Sequence, residues 1–408
     1  MGHRILDPTR ALKAGTVTAE TPERGFPPAE FEQRLARAQR GMTAAGLDTL
    51  LLTTEPEVRW FSGFLTEFWQ SPTRPWFLVV PRVGKPIAVI PAIGAPLMAR
   101  TWIDDIRAWP SPRPADEGIS LVAQALRDAG AGSGRIGLPM GPETMLRMPL
   151  NDYARLGAIL PAATFVDASA LIRELRMIKS EREIAKIAHV CGIASDAFEQ
   201  VPEFATSGQP LVETFRAFRL ALLGSGADDV PYLVGASAPG GYEDVITPPG
   251  ERPLTDGDVL MMDTGTLFDG YFCDFDRNWA IGHADDDTRR AYDTLYRATD
   301  VGQAAARPGA TCADLFQAMR DVIVADGYEC GNVGRLGHGL GMQLTEWPSH
   351  MPDDETVLQP GMVITLEPGL GLGLGPGRTM VHEENLVIRE DGAVPLSRRA
   401  PPELPVIG

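Results

Sequence analysis

The sequence predicts an α+β domain over its C-terminal part, preceded by a smaller α/β domain. Helical and strand patterns alternate up to about residue 167, and a strongly helical stretch follows. Beyond Pro231, short strands between Gly- and Pro-rich turns are segregated from two long helical patterns. With 408 residues the chain is too long for one ordinary core, and its 44% of apolar residues can fill two. The domains are expected at 1–172 and 173–408.

The elements follow in order. A polar, Pro-containing arm to about Pro28 leads into a helix over Glu30–Ala45, because Phe31, Leu35, Ala38 and Met42 fall on one face and Gly46 stops it. Thr49–Thr53, Trp76–Pro81 and Pro86–Ile90 read as buried strands, and Ile119–Ala129 and Pro142–Arg155 as helices. Two further helices are expected over Ala168–Arg176 and Ser180–Gln200, where Ser180 followed by Glu183 is a capping-box signature. Later come the helices Asp286–Ala306 and Ala313–Asp326.

Composition excludes several function classes. A formal charge of -17 argues against a nucleic-acid partner, which needs a basic face. The only lysines are Lys13, Lys85, Lys179 and Lys186, so the C-terminal half has none for a Schiff base or a phosphate-binding loop. Cys191, Cys273, Cys312 and Cys330 are dispersed without C-x-x-C spacing and read as reduced, buried thiols. Met1–Lys13 lacks an apolar core segment, and no apolar run approaches the ~20 residues that span a bilayer. A cytoplasmic protein without membrane attachment is expected.

The chemistry concentrates in the last 150 residues or so of the chain. Val259–Thr264 and Tyr271–Ala280 read as two strands joined at Phe268-Asp269-Gly270. A turn centred on Phe268-Asp269 sets Asp263 opposite Asp274; one centred on Asp269-Gly270 sets it opposite Asp276. Asp263 ends an apolar run and is costly there without a partner, whereas Asp269 reads as an ordinary turn carboxylate. His338 lies in Gly337-His338-Gly339-Leu340-Gly341, where missing side chains let a ligand approach the imidazole. His3, His189, His283 and His350 lack such a setting and read as ordinary histidines. Glu367 ends the strand Met362–Leu366, and Glu383-Glu384 lie in a second strand whose alternation sends one into the pocket and the other away. Four carboxylates and one imidazole suit a pair of divalent ions, whose charge offsets the desolvation of buried acids.

These residues carry a resemblance. The order Asp263, Asp274, His338, Glu367, Glu383, with Gly-Asp at 257–258, Asp-x-Gly at 263–265, Gly-Tyr at 270–271, Gly-His-Gly at 337–339 and Glu-Pro-Gly at 367–369, resembles the creatinase and aminopeptidase P group of pita-bread metallopeptidases. Val58–Phe64 and Leu175–Ser180 extend the likeness into the N-terminal domain and the entry to the catalytic one. The resemblance implies a creatinase-like N-terminal α/β domain and a pita-bread catalytic domain. It selects Asp274 and Glu383 from the open pairs, giving Asp263, Asp274, His338, Glu367 and Glu383 as ligands of two divalent ions (Mn, Co, Fe or Zn). Glu367 and His338 are the expected catalytic residues, Glu367 moving the proton of the attacking water. Because related enzymes often set the N-terminal domain of one subunit beside the active site of the next, a homodimer is expected; the aromatic segment Trp60–Trp69 with Arg74 and Trp76 is the local sign.

Two imidazoles of the family's peptidases are missing, with Ile246 and Thr345 in their places, and Val381 stands where an arginine is usual. Tyr242, Asp244, Thr345 and His382 are the candidate substrate contacts. The expected function is a dinuclear metal-dependent hydrolase resembling Xaa-Pro dipeptidase and aminopeptidase P, acting on a small amide or dipeptide with weak proline specificity. The alternatives are a non-peptidase relative resembling creatinase, ectoine hydrolase or dimethylsulfoniopropionate lyase, and a non-catalytic binding protein on the same scaffold.

Overall fold

A computed structural model describes residues 21–330, 334–372 and 378–408. The expected polar arm falls largely outside the described residues. Within them the chain forms two compact units, Glu23–Arg176 and Met177–Gly408.

The first unit is built on six strands: β1 Thr49–Leu52, β2 Phe77–Pro81, β3 Ile87–Pro91, β4 Asp105–Trp109, β5 Arg135–Leu138 and β6 Thr164–Asp167, in the order β4-β3-β2-β1-β5-β6. The central strands are apolar and buried along their whole length, as a sheet covered on both faces requires. The first helix, Pro28–Ala44, buries Phe31, Leu35, Ala38 and Met42, the face its spacing predicts. One expectation shifts. The helix foreseen over Pro142–Arg155 is found at Leu150–Ile159, because Pro149 holds the extended conformation that caps it and Glu143 sits at φ 56, outside helical geometry. Trp60, Phe61, Phe64 and Trp76 are core residues of this unit, while Leu65 and Phe68 are exposed.

The second unit opens with the helix Glu181–Glu199, whose Ser180 and Glu183 form the predicted capping box. One sheet contains β7 Asp229–Pro239, β8 Asp258–Phe268, β9 Tyr271–Phe272 and β10 Phe275–Ile281, with β8 central and antiparallel to both β7 and β10. A second sheet orders Glu346–Ser349, His338–Gly339, Val363–Leu366, Glu384–Arg389 and Gly392–Pro395. Helices Asp286–Ala305 and Cys312–Ala325 pack with strand residues of both sheets in one core that includes Met261, Leu295, Met319, Ile364 and Leu386. Asp269 corrects the reading of an ordinary turn carboxylate. It is 7% exposed and forms an ion pair of 2.6 Å with the buried Lys186, tying the β8–β9 turn to the opening helix. No helix among the described residues is long and apolar enough to cross a membrane.

Candidate metal centre

The turn between β8 and β9 settles the register of the acidic hairpin. Asp269 and Gly270 have φ 46 and 76, the left-handed pair that a two-residue hairpin turn requires and that Asp-Gly supplies readily. Phe268 therefore pairs with Tyr271, and the same register sets Asp276, not Asp274, opposite Asp263. Of the two registers the sequence leaves open, the structure therefore has the one centred on Asp269-Gly270. Asp274 lies two residues along on the same face, diagonal to Asp263, so Asp263, Asp274 and Asp276 share one face of the hairpin. Asn385 locks the bend before β10: its Oδ1 accepts from the Asp274 N–H at 2.9 Å, and its Nδ2 donates to the Asp274 carbonyl.

The glycines around His338 are demanded by close strand neighbours. A Cβ on Gly337, whose φ is 133, would lie 2.4 Å from the Thr365 carbonyl oxygen, and one on Gly339 would lie 2.5 Å from that of Trp347. His338 Nδ1 is 2.9 Å from the Gly339 carbonyl, which can only accept, so Nδ1 carries the proton. The Nε2 lone pair then faces Asp274 Oδ2 at 3.5 Å and Glu367 Oε2 at 4.0 Å. Burial, reinforced by Arg335, lowers the His338 pKa to about 3. The imidazole is neutral, the form that binds metal.

Glu383 and Glu384 diverge as alternation requires. Glu383 joins Asp274 and His338 in a buried group whose ligand atoms lie within 4.8 Å of one another. Its N–H donates to Asp276 Oδ1 at 3.2 Å, and its carbonyl accepts from Arg277 Nη1 at 2.9 Å. Glu384 turns to Arg277 and Arg399 at 3.0 and 3.1 Å. Glu367 follows the strand Val363–Leu366 and is the most open acid of the cluster, its side chain 29% exposed.

Burial raises the pKa of Asp263, Asp274 and Glu383 well above the usual carboxylate range, and the neighbouring acids add to the effect. Asp276 is raised to about 8 and Glu367 to about 7, burial again leading. Asp263 Oδ1, Asp276 Oδ2 and Glu383 Oε1 are buried without a hydrogen-bond partner. Buried anionic oxygens of this kind are costly unless a cation meets them. Oxygen donors with one neutral imidazole suit a divalent ion, and the residues present therefore fit a metal.

The candidate substrate contacts separate. Tyr242 is fully buried; its hydroxyl accepts from Val381 N–H at 2.7 Å and donates to Asn278 Oδ1 at 3.1 Å, so it is a core residue and not a substrate contact. His382 is corrected likewise, being buried between Thr299, 3.0 Å from Nδ1, and Arg399, 3.2 Å from Nε2. Asp244 is exposed and caps the N–H groups of Ile246 and Thr247 at 3.1 and 2.8 Å, and Ile246 is 71% exposed. Thr345 is exposed beside Arg335. Sequence reasoning missed two residues. Tyr232 on β7 lies beside Asp263 and lowers its pKa, and Arg335 lowers the pKa of both Asp274 and Glu367. Alternation along β7 opposite Asp263, and an arginine three residues before His338, are the signals that could have found them.

The family profile described as metallopeptidase family M24 matches residues 185–390, and that of the creatinase/prolidase N-terminal domain matches 34–178. The probable dipeptidase PepE of Mycobacterium tuberculosis is 30% identical over 397 residues, 94% of this chain and 98% of its own length. The Xaa-Pro dipeptidase of Pyrococcus furiosus is 32% identical over 232 residues, 56% of this chain and 65% of its own. The crystal structure of dipeptidase PepE from Mycobacterium ulcerans matches with a TM-score of 0.81 at 28% identity, covering 94% of this chain and 99% of that one. Family membership implies a divalent metal, which the unpaired acid cluster accommodates. The chain belongs to metallopeptidase family M24, with a creatinase/prolidase N-terminal domain and a pita-bread catalytic domain, and is a metal-dependent hydrolase.

Proposed function

We propose that the chain cleaves dipeptides or comparable small amides with two divalent ions, Mn, Co, Fe or Zn, held by Asp263, Asp274, His338, Glu367 and Glu383. The observation that carries this is the buried group Asp274, His338 and Glu383 beside Asp263 and Glu367, with three carboxylate oxygens of the cluster left without partners. When bound, divalent ions supply Lewis acidity toward a carbonyl and toward water. Asp276 holds Glu383 in place through the Glu383 N–H, and Tyr232 favours the ionised form of Asp263. Glu367, the most open acid of the cluster, takes a proton from the attacking water and passes it to the leaving amine. The names of the mycobacterial and archaeal relatives support the substrate class.

Exposed Ile246 and Thr345 offer no imidazole to the substrate, and this favours weak proline specificity or a non-peptidase substrate as the second reading. The same proposal includes a homodimer, with exposed Leu65 and Phe68 as apolar surface, and a cytoplasmic location, consistent with four unpaired cysteines. Elemental analysis together with steady-state kinetics on Ala-Pro, Gly-Pro and dipeptides lacking proline is the test. About two metal ions per chain and turnover that is lost on chelation are expected, with efficiency on Ala-Pro below ~10⁴ M⁻¹s⁻¹. Turnover by metal-free protein would exclude the mechanism. Light scattering checks the assembly, where a fully active monomer would exclude the dimer.

A further inference from the structure

His350 stands outside the group formed by Asp274, His338 and Glu383, yet it touches both segments that carry His338 and Glu367. It is fully buried. Its N–H donates to the Gly337 carbonyl at 2.9 Å, and its own carbonyl accepts from the Leu336 N–H at 2.9 Å. Its Nε2 lies 3.0 Å from the Thr365 carbonyl, which can only accept, so Nε2 carries the proton and donates it. Burial lowers the His350 pKa to about 4, which leaves the imidazole neutral with that one proton. Nδ1 is buried with no hydrogen-bond partner among the described residues.

Each of these contacts falls within two residues of His338 or Glu367. Gly337 directly precedes His338, and the Leu336 carbonyl accepts from the Glu367 N–H at 3.0 Å. Thr365 lies two residues before Glu367, and its hydroxyl accepts from the His338 N–H at 3.2 Å. The imidazole also packs against the bare Gly337 backbone, since a Cβ added there would lie 2.7 Å from His350 Cδ2 and 2.4 Å from the Thr365 oxygen. An apolar side chain of similar size would fill the same space but take a donor away from a buried carbonyl, which is costly. A metal centre needs its ligands held to within about 0.5 Å, so a small change in the spacing of these strands reaches His338 and Glu367 together.

We propose that His350 is a positioning residue of the metal centre: the hydrogen bond from its Nε2 to the Thr365 carbonyl fixes the spacing of the strands that present His338 and Glu367. This rests on the metal-centre reading and assigns a role within it to a histidine whose sequence setting is that of an ordinary one. Nδ1 has no part in it, so the position demands a donor at Nε2 and not an imidazole as such.

The test is cobalt binding by the full chain and by His350→Leu, His350→Gln and His350→Asn, read as affinity in competition with a calibrated chelator and as the visible absorption of the cobalt-loaded protein. A glutamine amide can place an N–H where Nε2 lies, whereas the shorter asparagine reaches only the Nδ1 position. His350→Leu and His350→Asn should bind cobalt ~10–100-fold more weakly with an altered spectrum, and His350→Gln should stay within ~3-fold of wild type with the wild-type spectrum. Affinity and spectrum unchanged in all three, whatever the melting temperature of the metal-free proteins does, would overturn the proposal. Equal losses in His350→Gln and His350→Asn would overturn it too. If His350→Leu does not fold, His350→Gln and His350→Asn decide by the same criterion; if no variant folds, His350 serves the fold as a whole and the proposal falls. Wild type that binds no cobalt would sink the metal-centre reading and this inference with it. Cobalt binding that depends on His350 in a chain that hydrolyses no dipeptide would uphold this inference and sink only the substrate reading.

Discussion

Glu383 and Glu384 are adjacent, 2% and 1% exposed, and electrostatically opposite. Burial alone would raise both. Glu384 is instead held below the ordinary carboxylate range by Arg277, then His382 and Arg399, with Ser397 Oγ and the Ala400 N–H completing its shell. Glu383 is driven well above that range by burial and by Asp274, Glu367, Asp263 and Asp276, and one of its oxygens has no partner. The same side chain at the same depth is satisfied from within the protein in one case and left incomplete in the other. Incomplete acids mark where a cation from outside belongs.

The largest expected effect comes from neutralising the two glutamates separately. Glu383→Gln removes a ligand while relieving repulsion, so bound metal and activity should fall, activity by ~10³ or more, with the metal-free protein as stable as wild type or more so. Glu384→Gln leaves two guanidinium groups without their shared carboxylate and should cost about 3–5 kcal/mol, while the folded fraction keeps its metal. Elemental analysis and urea unfolding separate the outcomes. If Glu384→Gln released metal while stability held, the contrast between the two residues would be wrong.

A second effect follows from pH. The native pKa values of Asp276, about 8, and Glu367, about 7, exceed the ordinary values of 3.8 and 4.5 for these side chains. Between these limits the metal-free native state holds more protons than the unfolded chain, so their contribution to stability is complete at low pH and is lost as pH rises through 7 and 8. Bound metal favours the ionised acids and is displaced by protons at low pH. The melting temperature of manganese-loaded protein should therefore exceed that of chelator-treated protein by a margin that widens from pH 5.5 to 8, on the order of several °C. A margin that is constant or narrows with rising pH would break the link between the unpaired acids and metal binding.

Much of this contrast is legible in the amino-acid sequence. His338 stands out through its glycines and Glu367 through its place after an apolar strand, because both signals are local. The choice between Asp274 and Asp276 is not legible there, since it depends on whether Asp269 adopts a positive φ, which changes the register of the whole hairpin. Alternation separates Glu383 from Glu384 without saying which faces the cluster, because that is set by Arg277 and Arg399 arriving from other parts of the chain. Nearness in sequence points to Tyr242 and His382, yet both are core residues. Tyr232 and Arg335 escape a reading by motif because their importance comes from strand pairing and packing. In the N-terminal unit, continuous apolar runs make β1 to β3 readable, while the helix start at Leu150 is concealed by the backbone of the Pro142–Pro149 segment.

The smallest effect sharpens the comparison inside the acid cluster itself. Asp263 has the Tyr232 phenol as a neighbour, which lowers its pKa against the upward push of burial and of Asp276 and Glu367. Tyr232 is itself pushed up, by burial first and then by Asp263, so the phenol remains protonated and can only donate to the carboxylate. A donor beside a ligand can orient it without replacing the cation, and removal of such supporting partners costs ~10–100-fold in metal affinity. Tyr232→Phe should therefore weaken manganese binding within that range, with little change in kcat once the site is saturated and no loss of fold, because the ring that packs on β8 is retained. Competition against a calibrated chelator gives the affinity, and kinetics at saturating metal give the rest. An unchanged affinity would mean that Asp263 is positioned by the β8 backbone alone, whereas a collapse of kcat at saturating metal would make Tyr232 a participant in the reaction rather than a support for Asp263.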